Sequence, residues 1–113
     1  MIAVIFELIP KQSRTDDYFK IASMLRTRLE AIDGFISVER FQSITDPGKY
    51  LSLSFWRDEE AVANWRNQAE HRDAQRQGRA QIFDHYRLRV AHVSRDYGLT
   101  ERAETPTDSL NLF

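Results

Sequence analysis

A tryptophan and a histidine stand six residues apart in the polar segment NWRNQAEHRDAQRQGR, residues 64–79. The indole of Trp65 can stack on an aromatic ligand. His71 has the side chain whose unperturbed pKa suits a general base near neutral pH. On a continuous helix the two residues lie about 120° apart around the axis. They can share a pocket only if the helix breaks between them, and Asn67, a weak helix former that caps well, permits such a break.

A break would start a second short helix with His71, Ala74 and Gly78 on its inner side, close to a sheet. An unbroken helix would make Trp65 a core anchor and His71 a surface residue, with Arg72 on the side of Trp65. We predict His71 as the catalytic base and Trp65 and Arg72 as substrate-binding residues. The alternative is an anchor and a solvated side chain on an ordinary helix.

The segment YLSLSFW, residues 50–56, places two small hydroxyl side chains between two aromatic ones. Side chains alternate along a strand, so every second residue shares one face. These residues are Tyr50, Ser52, Ser54 and Trp56. If this face is covered, the serines leave a cavity edged by aromatic rings, which is typical of small-molecule sites. We predict Ser52, Ser54 and Trp56 as substrate-binding residues, the alternatives being that helices fill the space or that the face is an interface.

Composition excludes several classes of function. The 16 basic and 17 acidic side chains leave no net field for nucleic acid or an anionic membrane surface. The absence of cysteine removes disulfides and thiolate metal sites. Histidines at positions 71, 85 and 92 lack the spacing of a helical zinc pair, and no Gly-rich phosphate loop is present. The apolar opening MIAVIFELIP is too short to span a bilayer. We expect a soluble cytoplasmic protein without a metal site, nucleic-acid partner or membrane partner.

Periodicity predicts the elements that must position these residues. Residues 2–9 form an apolar strand that ends at Pro10. Residues 18–32 have helical apolar spacing, with Ser13 as the N-cap and Gly34 as the stop. This pattern indicates a strand followed by an amphipathic helix.

The second half of the chain repeats strand, helix and strand. Two strands flank the turn TDPGK, residues 45–49, and Asp58 caps a second helix. Residues 82–93 alternate as a last strand, with Tyr86 on one side and Phe83 on the other. The order β-α-β-β-α-β predicts the ferredoxin-like α+β fold, a four-stranded antiparallel sheet with both helices on one face.

The sheet face away from the helices is also apolar, as Leu53 and Phe55 illustrate. A lone domain would alternate apolar with polar residues there. A second copy packed across a two-fold axis would cover the face, which predicts a homodimer. Glu39 would pair with an arginine in that interface, and the alternative is that the arginines face solvent. The basic side chains concerned are His85, Arg87 and Arg89.

Two regions differ in composition. Residues 1–96 carry all the predicted elements and form one domain. Residues 97–113 are polar and contain proline, yet they end in Leu110, Leu112 and Phe113. An apolar finish is unusual for a disordered terminus, so we predict a tail that packs on the dimer partner.

The order of these elements and their spaced aromatics resembles a known family. A hairpin strand ends in Trp56 and continues into RDEEAVANW, then EHR, GR and a last strand YRLRVAHVSRDYG. The pattern resembles the antibiotic biosynthesis monooxygenase (ABM) domain of the dimeric α+β barrel superfamily over roughly residues 1–96. The resemblance implies a homodimer whose two sheets face each other as a barrel.

Three activities occur in that family: cofactor-independent quinone formation, haem degradation, and isomerisation. The pocket Trp of the quinone-forming members matches Trp56, but their Asn four residues earlier is Ser52 here, and their helix Tyr is Val62. The helix Trp of the haem degraders matches Trp65, but strand one lacks their Asn and their iron-ligating His falls close to Gln75. The resemblance therefore disfavours haem degradation.

The predicted function is a monooxygenase that uses neither metal nor flavin and acts on a small aromatic or quinol-like substrate. A dry pocket with a base and a stacking surface would deprotonate the substrate so that its anion reduces O₂. Trp56 and Trp65 would supply the stacking walls, His71 the base, and Ser52 or Ser54 a contact to a substrate oxygen. The alternatives are a small-molecule binder or isomerase with the same pocket, and an interaction protein without one.

Overall fold

A computed structural model describes residues 1–77 and 81–112. Its sheet is four-stranded and antiparallel with strand order β2-β3-β1-β4. This confirms the ferredoxin-like α+β architecture, with the second helix divided in two. The elements are β1 (Ile2–Pro10), α1 (Thr15–Glu30), β2 (Phe35–Gln42), β3 (Tyr50–Trp56), α2 (Glu59–Arg66), α3 (Ala69–Gln77) and β4 (Phe83–His92), and a 3₁₀ turn (Thr107–Ser109) follows.

The start of α1 differs from the prediction. The helix begins at Thr15 with Arg14 as the N-cap residue, and no side chain caps it. Ser13 has a positive φ of 75° and is therefore not the cap. Arg14 instead forms an ion pair with Asp17, which the sequence pattern of Ser13 with Asp16 did not indicate. The helix ends at Glu30, and Gly34 with φ of 91° turns the chain into β2.

The predictions for the hairpin and for the start of the second helix are confirmed. The turn closes with hydrogen bonds from Lys49 N to Asp46 O and from Ser43 N to Lys49 O, both 2.9 Å. Asp58 has extended backbone angles, and its Oδ1 accepts a hydrogen bond from Ala61 N at 2.9 Å. This backbone N–H, joined by the charge of nearby Arg57, lowers the pKa of Asp58 below its usual value. The cap thus remains ionised at neutral pH.

Strand β4 carries one residue on a different side from the prediction. Phe83 was expected opposite Tyr86, yet its ring lies 5.6 Å from Phe6 and 5.9 Å from Tyr86. The pairing of β1 with β4 shifts register between Ile9 and Pro10. Proline cannot donate to the ladder, and such an irregularity moves the next side chain to the other face. Phe83 therefore packs in the core.

The buried core under the helices consists of two separate clusters. The first surrounds Trp56, and the second surrounds Leu8. The first contains Ile2, Leu29, Trp56, Ala61 and Val62, and the second contains Leu8, Tyr18 and Ile82. The cross-strand row Ser52, Phe6 and Leu88 and the row Ser54, Val4 and Val90 lie between the two ends. The middle of the helix-covered face is therefore the place where a cleft can form.

The opposite face of the sheet carries no helix in the described structure. Ile5, Leu53 and Phe55 remain half-buried on it. Charged groups interrupt it, and the Glu7 carboxylate lies 3.5 Å from Lys49 Nζ and 3.3 Å from Arg89 Nη1. Partial desolvation opposes the effect, but these two cations hold the pKa of Glu7 below its usual value.

Among the described residues, the predicted pairing of Glu39 with an arginine is not formed. Glu39 stands opposite Leu53, and Arg89 pairs with Glu7 instead. The reason is the strand order, because β1 lies between β3 and β4 and brings Glu7 next to β4.

Replacement of Gly34 by alanine should destabilise the fold by about 2–4 kcal/mol, from a left-handed backbone and overpacking together. The added Cβ would lie 2.7 Å from Ala61 Cβ and 3.2 Å from Arg57 Cζ. Gly48→Ala is the matched control, since its Cβ would meet only Asp46 Oδ1, at 3.7 Å. Urea unfolding measures both, and equal midpoints for the two variants would contradict the assignment.

Candidate functional site

The second helix breaks between Trp65 and His71. Helix α2 ends at Arg66, Asn67 is its C-cap residue, and α3 begins at Ala69. The Asn67 backbone N–H donates to Ala63 O at 3.0 Å, and its side-chain Nδ2 donates to the same oxygen at 2.9 Å. An asparagine that caps with both groups ends the helix here. The sequence left a straight and a broken helix open, and the structure has the broken one.

The break brings Trp65 and His71 into contact. Their rings stack with centroids 4.4 Å apart and an interplanar angle of 22°. His71 Nδ1 also lies 3.1 Å from the carbonyl oxygen of Trp65. A carbonyl can only accept, so Nδ1 carries the hydrogen and Nε2 holds the free lone pair of the neutral ring. The pair is thus a stacked indole and imidazole with one basic nitrogen available.

Burial decides the protonation state of His71. The side chain is half-buried, and this desolvation lowers its pKa below the usual 6.5. The hydrogen bond to the Trp65 carbonyl acts in the opposite direction, and the nearby charge of Arg72 lowers the pKa further. His71 is therefore neutral at pH 7 and can accept a proton without first losing one.

Arg72 lies on the outer side of the break. Its Nη2 donates to Asn67 Oδ1 at 2.8 Å, and its Nη1 donates to Gln75 Oε1 at 3.4 Å. The residue is exposed, and its guanidinium connects the two helix segments. Its role as a substrate-binding residue stays a prediction, while the structure gives it a contact that holds the break. The predicted inner residue Ala74 is half-buried, and Gly78 lies outside the described residues.

Trp56 and Ser54 are joined to each other in the core. The Trp56 Nε1–H donates to Ser54 Oγ at 2.9 Å, and the indole is only 1% exposed. Phe35 packs edge-on against it with ring centroids 5.3 Å apart. The serine thus satisfies a buried indole N–H, which would otherwise be costly. Substrate contact by these two residues stays a prediction, and their packing role is what the structure displays.

Ser52 differs from Ser54 in its surroundings. It is half-buried, and within residues 1–77 and 81–112 its hydroxyl has no hydrogen-bond partner. It lies opposite Phe6 on β1, which in turn lies opposite Leu88 on β4. Leu88 is 52% exposed and Val90 45% exposed, although both point to the helix side. The middle of this face is therefore an incompletely covered apolar strip beside a free hydroxyl.

The sequence did not single out Leu88 and Val90 as site residues. Their alternation predicted a core row, and the row does lie on the helix side through its pairing with Val4 and Phe6. Its partial exposure depends on how the two segments of the broken helix sit, which no local pattern encodes. The sequence feature that could have indicated Leu88 and Val90 is the long apolar alternation of β4 opposite a helix rich in polar residues.

Two open grooves lie elsewhere on the described surface. One of about 530 Å³ follows the edge of β2 and includes Arg40 and Phe41. The other, of about 620 Å³, lies in the C-terminal segment and includes Tyr97 and Leu112. Neither is lined by Trp65 or His71. The described residues contain no group of three or more metal-ligating side chains, and none of their helices is long and apolar enough to cross a membrane.

Comparisons with known proteins agree with this architecture. The model of the family described as antibiotic biosynthesis monooxygenase matches residues 1–77. The jasmonate monooxygenase ABM of Pyricularia oryzae is 49% identical over 94 residues, which are 83% of this chain and 44% of that protein. The uncharacterized protein YqjZ of Bacillus subtilis is 30% identical over 93 residues, 82% of this chain and 79% of that protein. The solved structure of Rv0793 from Mycobacterium tuberculosis has a TM-score of 0.76 at 16% identity, covering 86% of this chain and 98% of that one.

The α+β sheet with its broken second helix is thus the fold of a recognised class of small domains. The chain belongs to the antibiotic biosynthesis monooxygenase family. It spans less than half the length of the jasmonate monooxygenase that it matches. The likeness to the mycobacterial structure concerns the fold alone.

Acidification should destabilise the protein through His71. The folded pKa is lowered, so the unfolded chain takes up a proton at a pH where the folded protein does not. The stabilising contribution is complete above the unfolded value of about 6.5 and is lost as the pH falls through the folded pKa. Urea unfolding between about pH 7 and pH 5 should reveal the decline.

The matched variants are His71→Asn and His92→Asn. The amide introduced by His71→Asn could still donate to the Trp65 carbonyl but cannot titrate, so the decline should become shallower. His92→Asn is the control for the loss of an exposed histidine, since its side chain is 78% exposed and 4.0 Å from Glu59. The same slope in the wild type and in His71→Asn would show that His71 does not couple folding to pH.

Proposed function

We propose that this chain is an ABM-type monooxygenase that uses neither metal nor flavin and acts on a small aromatic or quinol-like substrate. The substrate would bind in the cleft between the sheet and the broken second helix. The observation that carries the proposal is the stacked pair, in which Trp65 faces His71 and Nε2 of the neutral imidazole has no hydrogen-bond partner among the described residues. The family membership supports the reaction class.

The apolar strip and the free hydroxyl fit this class of substrate. Phe6, Leu88 and Val90 offer a surface for an aromatic ring, and the hydroxyl of Ser52 offers a hydrogen bond to a substrate oxygen. Trp65 packs against the first core cluster together with Val4, which belongs to the same row as Val90. The stacked pair therefore borders the side of the cleft nearest the first cluster.

The chemistry follows from a phenol that has a hydrogen on its para carbon. His71 Nε2 removes the phenol proton, and the phenolate passes one electron to O₂. The resulting radicals join at the para carbon to form a peroxide anion, which takes the proton back from His71 to become a C–O–OH group. Loss of the para hydrogen as a proton and of hydroxide then leaves a carbonyl. The substrate and O₂ thus become a quinone and water, and the substrate supplies all the electrons.

The relative from Pyricularia oryzae is named for jasmonate, so jasmonate is added to the compounds to be assayed. Insertion of oxygen at a saturated carbon needs two electrons beyond those of the reacting bond. Assays with jasmonate therefore include ascorbate as a reductant and a parallel sample without it. If jasmonate is turned over and no phenol or quinol in the panel is, the cleft would belong to a different substrate class.

A homodimer is the proposed assembly, and the cytoplasm is the proposed compartment. The uncovered sheet face with Ile5, Leu53 and Phe55 supports the dimer, because a second sheet would remove these residues from water. Two such sheets packed face to face would be separated by about 10 Å. The barrel expected from the family resemblance has this geometry.

A small-molecule binder or isomerase with the same cleft is the second candidate. The observation that favours it is the enclosure of Trp56 and Ser54, which leaves fewer polar groups in the cleft than the sequence predicted. In this case a ligand would quench the fluorescence of Trp65 without any consumption of O₂. Trp56 would contribute a constant background, since its indole is buried.

Oxygen uptake with hydroquinones, anthrones and jasmonate tests the proposal. The wild-type protein should consume O₂ above the buffer rate with at least one substrate. His71→Ala should lower kcat/KM about 10²- to 10⁴-fold, the usual contribution of a general base. His92→Ala is the control and should retain the wild-type rate, since its side chain is 78% exposed.

Two outcomes would overturn parts of the proposal. Undiminished turnover in His71→Ala would remove His71 as the base while leaving the oxygenase assignment intact. Fluorescence quenching by the same compounds without O₂ uptake would replace the oxygenase with the binder. Trp65→Phe, which keeps an aromatic ring, should weaken substrate binding less than Trp65→Ala does.

A further inference from the structure

Arg40 extends from the edge strand β2 over the helix-covered face of the sheet. It stands opposite Ser52, and the same cross-strand row continues with Phe6 and Leu88. Its Nε–H donates to the hydroxyl of Tyr18 on α1 at 3.3 Å, and its Cζ lies 6.0 Å from the centroid of that ring. Tyr18 is 8% exposed and belongs to the second core cluster. The guanidinium is therefore directed from the sheet edge toward the space under α1.

Three half-buried arginines occur among the described residues, and Arg40 differs from the other two. Arg14 pairs with the carboxylate of Asp17, and Arg102 donates to four backbone carbonyl oxygens. In the described part of the chain, Arg40 has no carboxylate within ion-pair distance, and its Nη1 and Nη2 have no acceptor. A charge that is partly removed from water is usually paired. The counter-charge missing at Arg40 is what a bound anion would supply.

Two hydroxyl groups beside Arg40 also have hydrogens without an acceptor. The Tyr18 oxygen accepts the bond from Arg40, and its own hydrogen has no acceptor among the described residues. The half-buried Ser52 hydroxyl, across the β2–β3 ladder from Arg40, has no partner there either. Polar groups away from water are nearly always hydrogen-bonded in native proteins. Arg40, Tyr18 and Ser52 therefore form a donor cluster, which combines a positive charge with N–H and O–H groups that have no acceptor.

The acidic neighbours of the donor cluster along the chain do not neutralise it. Asp17, next to Tyr18, pairs with Arg14 at 2.7 Å. Glu39, next to Arg40, points to the opposite face of the sheet, because successive side chains of a strand alternate. Glu39 and Arg40 both line the open groove of about 530 Å³ along the edge of β2, each from its own side of the strand. Arg40 is therefore accessible from solution and has no carboxylate on its own side.

We propose that the donor cluster binds a carboxylate group of the substrate, which makes the substrate an aromatic carboxylic acid. The inference rests on the proposed function and extends it by naming the charged group and the residues that bind it. The planar guanidinium matches the two oxygens of a carboxylate. Its single positive charge balances the single negative charge of a carboxylate, whereas a phosphate group would bring close to two.

The apolar part of such a substrate fits the cross-strand row that contains Ser52. From Ser52 on β3 the row crosses Phe6 on β1 and ends at Leu88 on β4. These two strand spacings amount to about 10 Å, which is close to the length of two fused aromatic rings with a substituent. The ring of Phe6 is half-buried, and Leu88 is 52% exposed. A two-ring acid would thus have its charged end at β3 and its rings over apolar side chains toward β4.

The test compares 5-hydroxy-2-naphthoate with its methyl ester, which has the same rings and the same phenol but no charge. The phenol has a hydrogen on its para carbon, as the proposed chemistry requires. Calorimetric titration of the full chain in the absence of O₂ measures binding apart from turnover. The acid should bind the wild type at least about tenfold more tightly than the ester, because hydrogen bonds to charged groups are the stronger ones.

Arg40→Gln removes the charge and should lower the affinity for the acid about 10- to 100-fold, while the affinity for the ester stays within about twofold. Arg40→Lys keeps the charge without the planar fork and should give an intermediate affinity. Ser52→Ala removes one neutral donor and should weaken binding of the acid about three- to tenfold. Arg26→Gln is the matched control, since Arg26 lines the same groove but pairs with Glu30 at 2.8 Å. It should leave both affinities unchanged.

A purely structural role of Arg40 gives a different result. If Arg40 only supports the packing of Tyr18, Arg40→Gln weakens the binding of acid and ester equally, and the proposal is refuted. The ratio of the two affinities in Arg40→Lys and in Ser52→Ala provides the same test if Arg40→Gln does not fold.

The outcomes also separate this inference from the proposed function. Equal affinities for acid and ester in the wild type, or no binding of the acid, would refute the carboxylate site. O₂ uptake with uncharged phenols would then still support the oxygenase. Selective binding of the acid that depends on Arg40, without O₂ uptake, would support the carboxylate site and contradict the oxygenase.

Discussion

The hydrophobic effect acts on both faces of this sheet, while the helices cover only one of them. Val4 and Phe6 of β1 face the helices, and Ile5 between them faces away. A strand with apolar residues on both sides is stable only if both faces leave water. The helices cover one side of the sheet, and the proposed homodimer would cover the other.

The helix break solves a different problem, which is local. A continuous second helix would have directed the histidine away from the tryptophan, as its period requires. Asn67 stops the helix by bonding its own side chain to Ala63 O, and Arg72 then joins the two segments through Asn67 Oδ1. The site thus depends on two local contacts. The Asn67 side chain competes with the backbone for Ala63 O and ends the helix, and the Arg72 guanidinium bridges the two segments. The imidazole is held at its Nδ1 by a backbone carbonyl, so its orientation does not depend on a second titratable group.

Much of the fold could be predicted because its signals are local. Period-2 and period-3.6 patterns gave the element order, and Asp58 marked a helix start through chemistry that needs only three residues. The predictions that were wrong concern features that the local residue pattern does not determine. Ser13 looked like a cap, but the chain adopts a left-handed turn there. Phe83 changed sides because a bulge opposite a proline shifts the strand register.

The site was predictable to the extent that residue chemistry dictates geometry. The stacking of Trp65 on His71 followed from one condition, a helix break, that the sequence allowed but did not require. The pairing of Ser54 with Trp56 could not be foreseen, because period 2 places two side chains on a face without specifying whether they bond. Ser52, two residues away, has the same residue type and face but a different environment. Such differences arise from tertiary packing alone.

The division of the buried core into two clusters also bears on how the family diversifies. Residues that hold the sheet and helices together lie at the two ends, and Ser52, Leu88 and Val90 between them belong to neither cluster. Substitutions at these three positions leave both clusters in place, so we expect them to incur little loss of folding free energy. The lining of the proposed cleft can therefore change while the scaffold persists. The mycobacterial structure, with a TM-score of 0.76 at 16% identity, has the same fold.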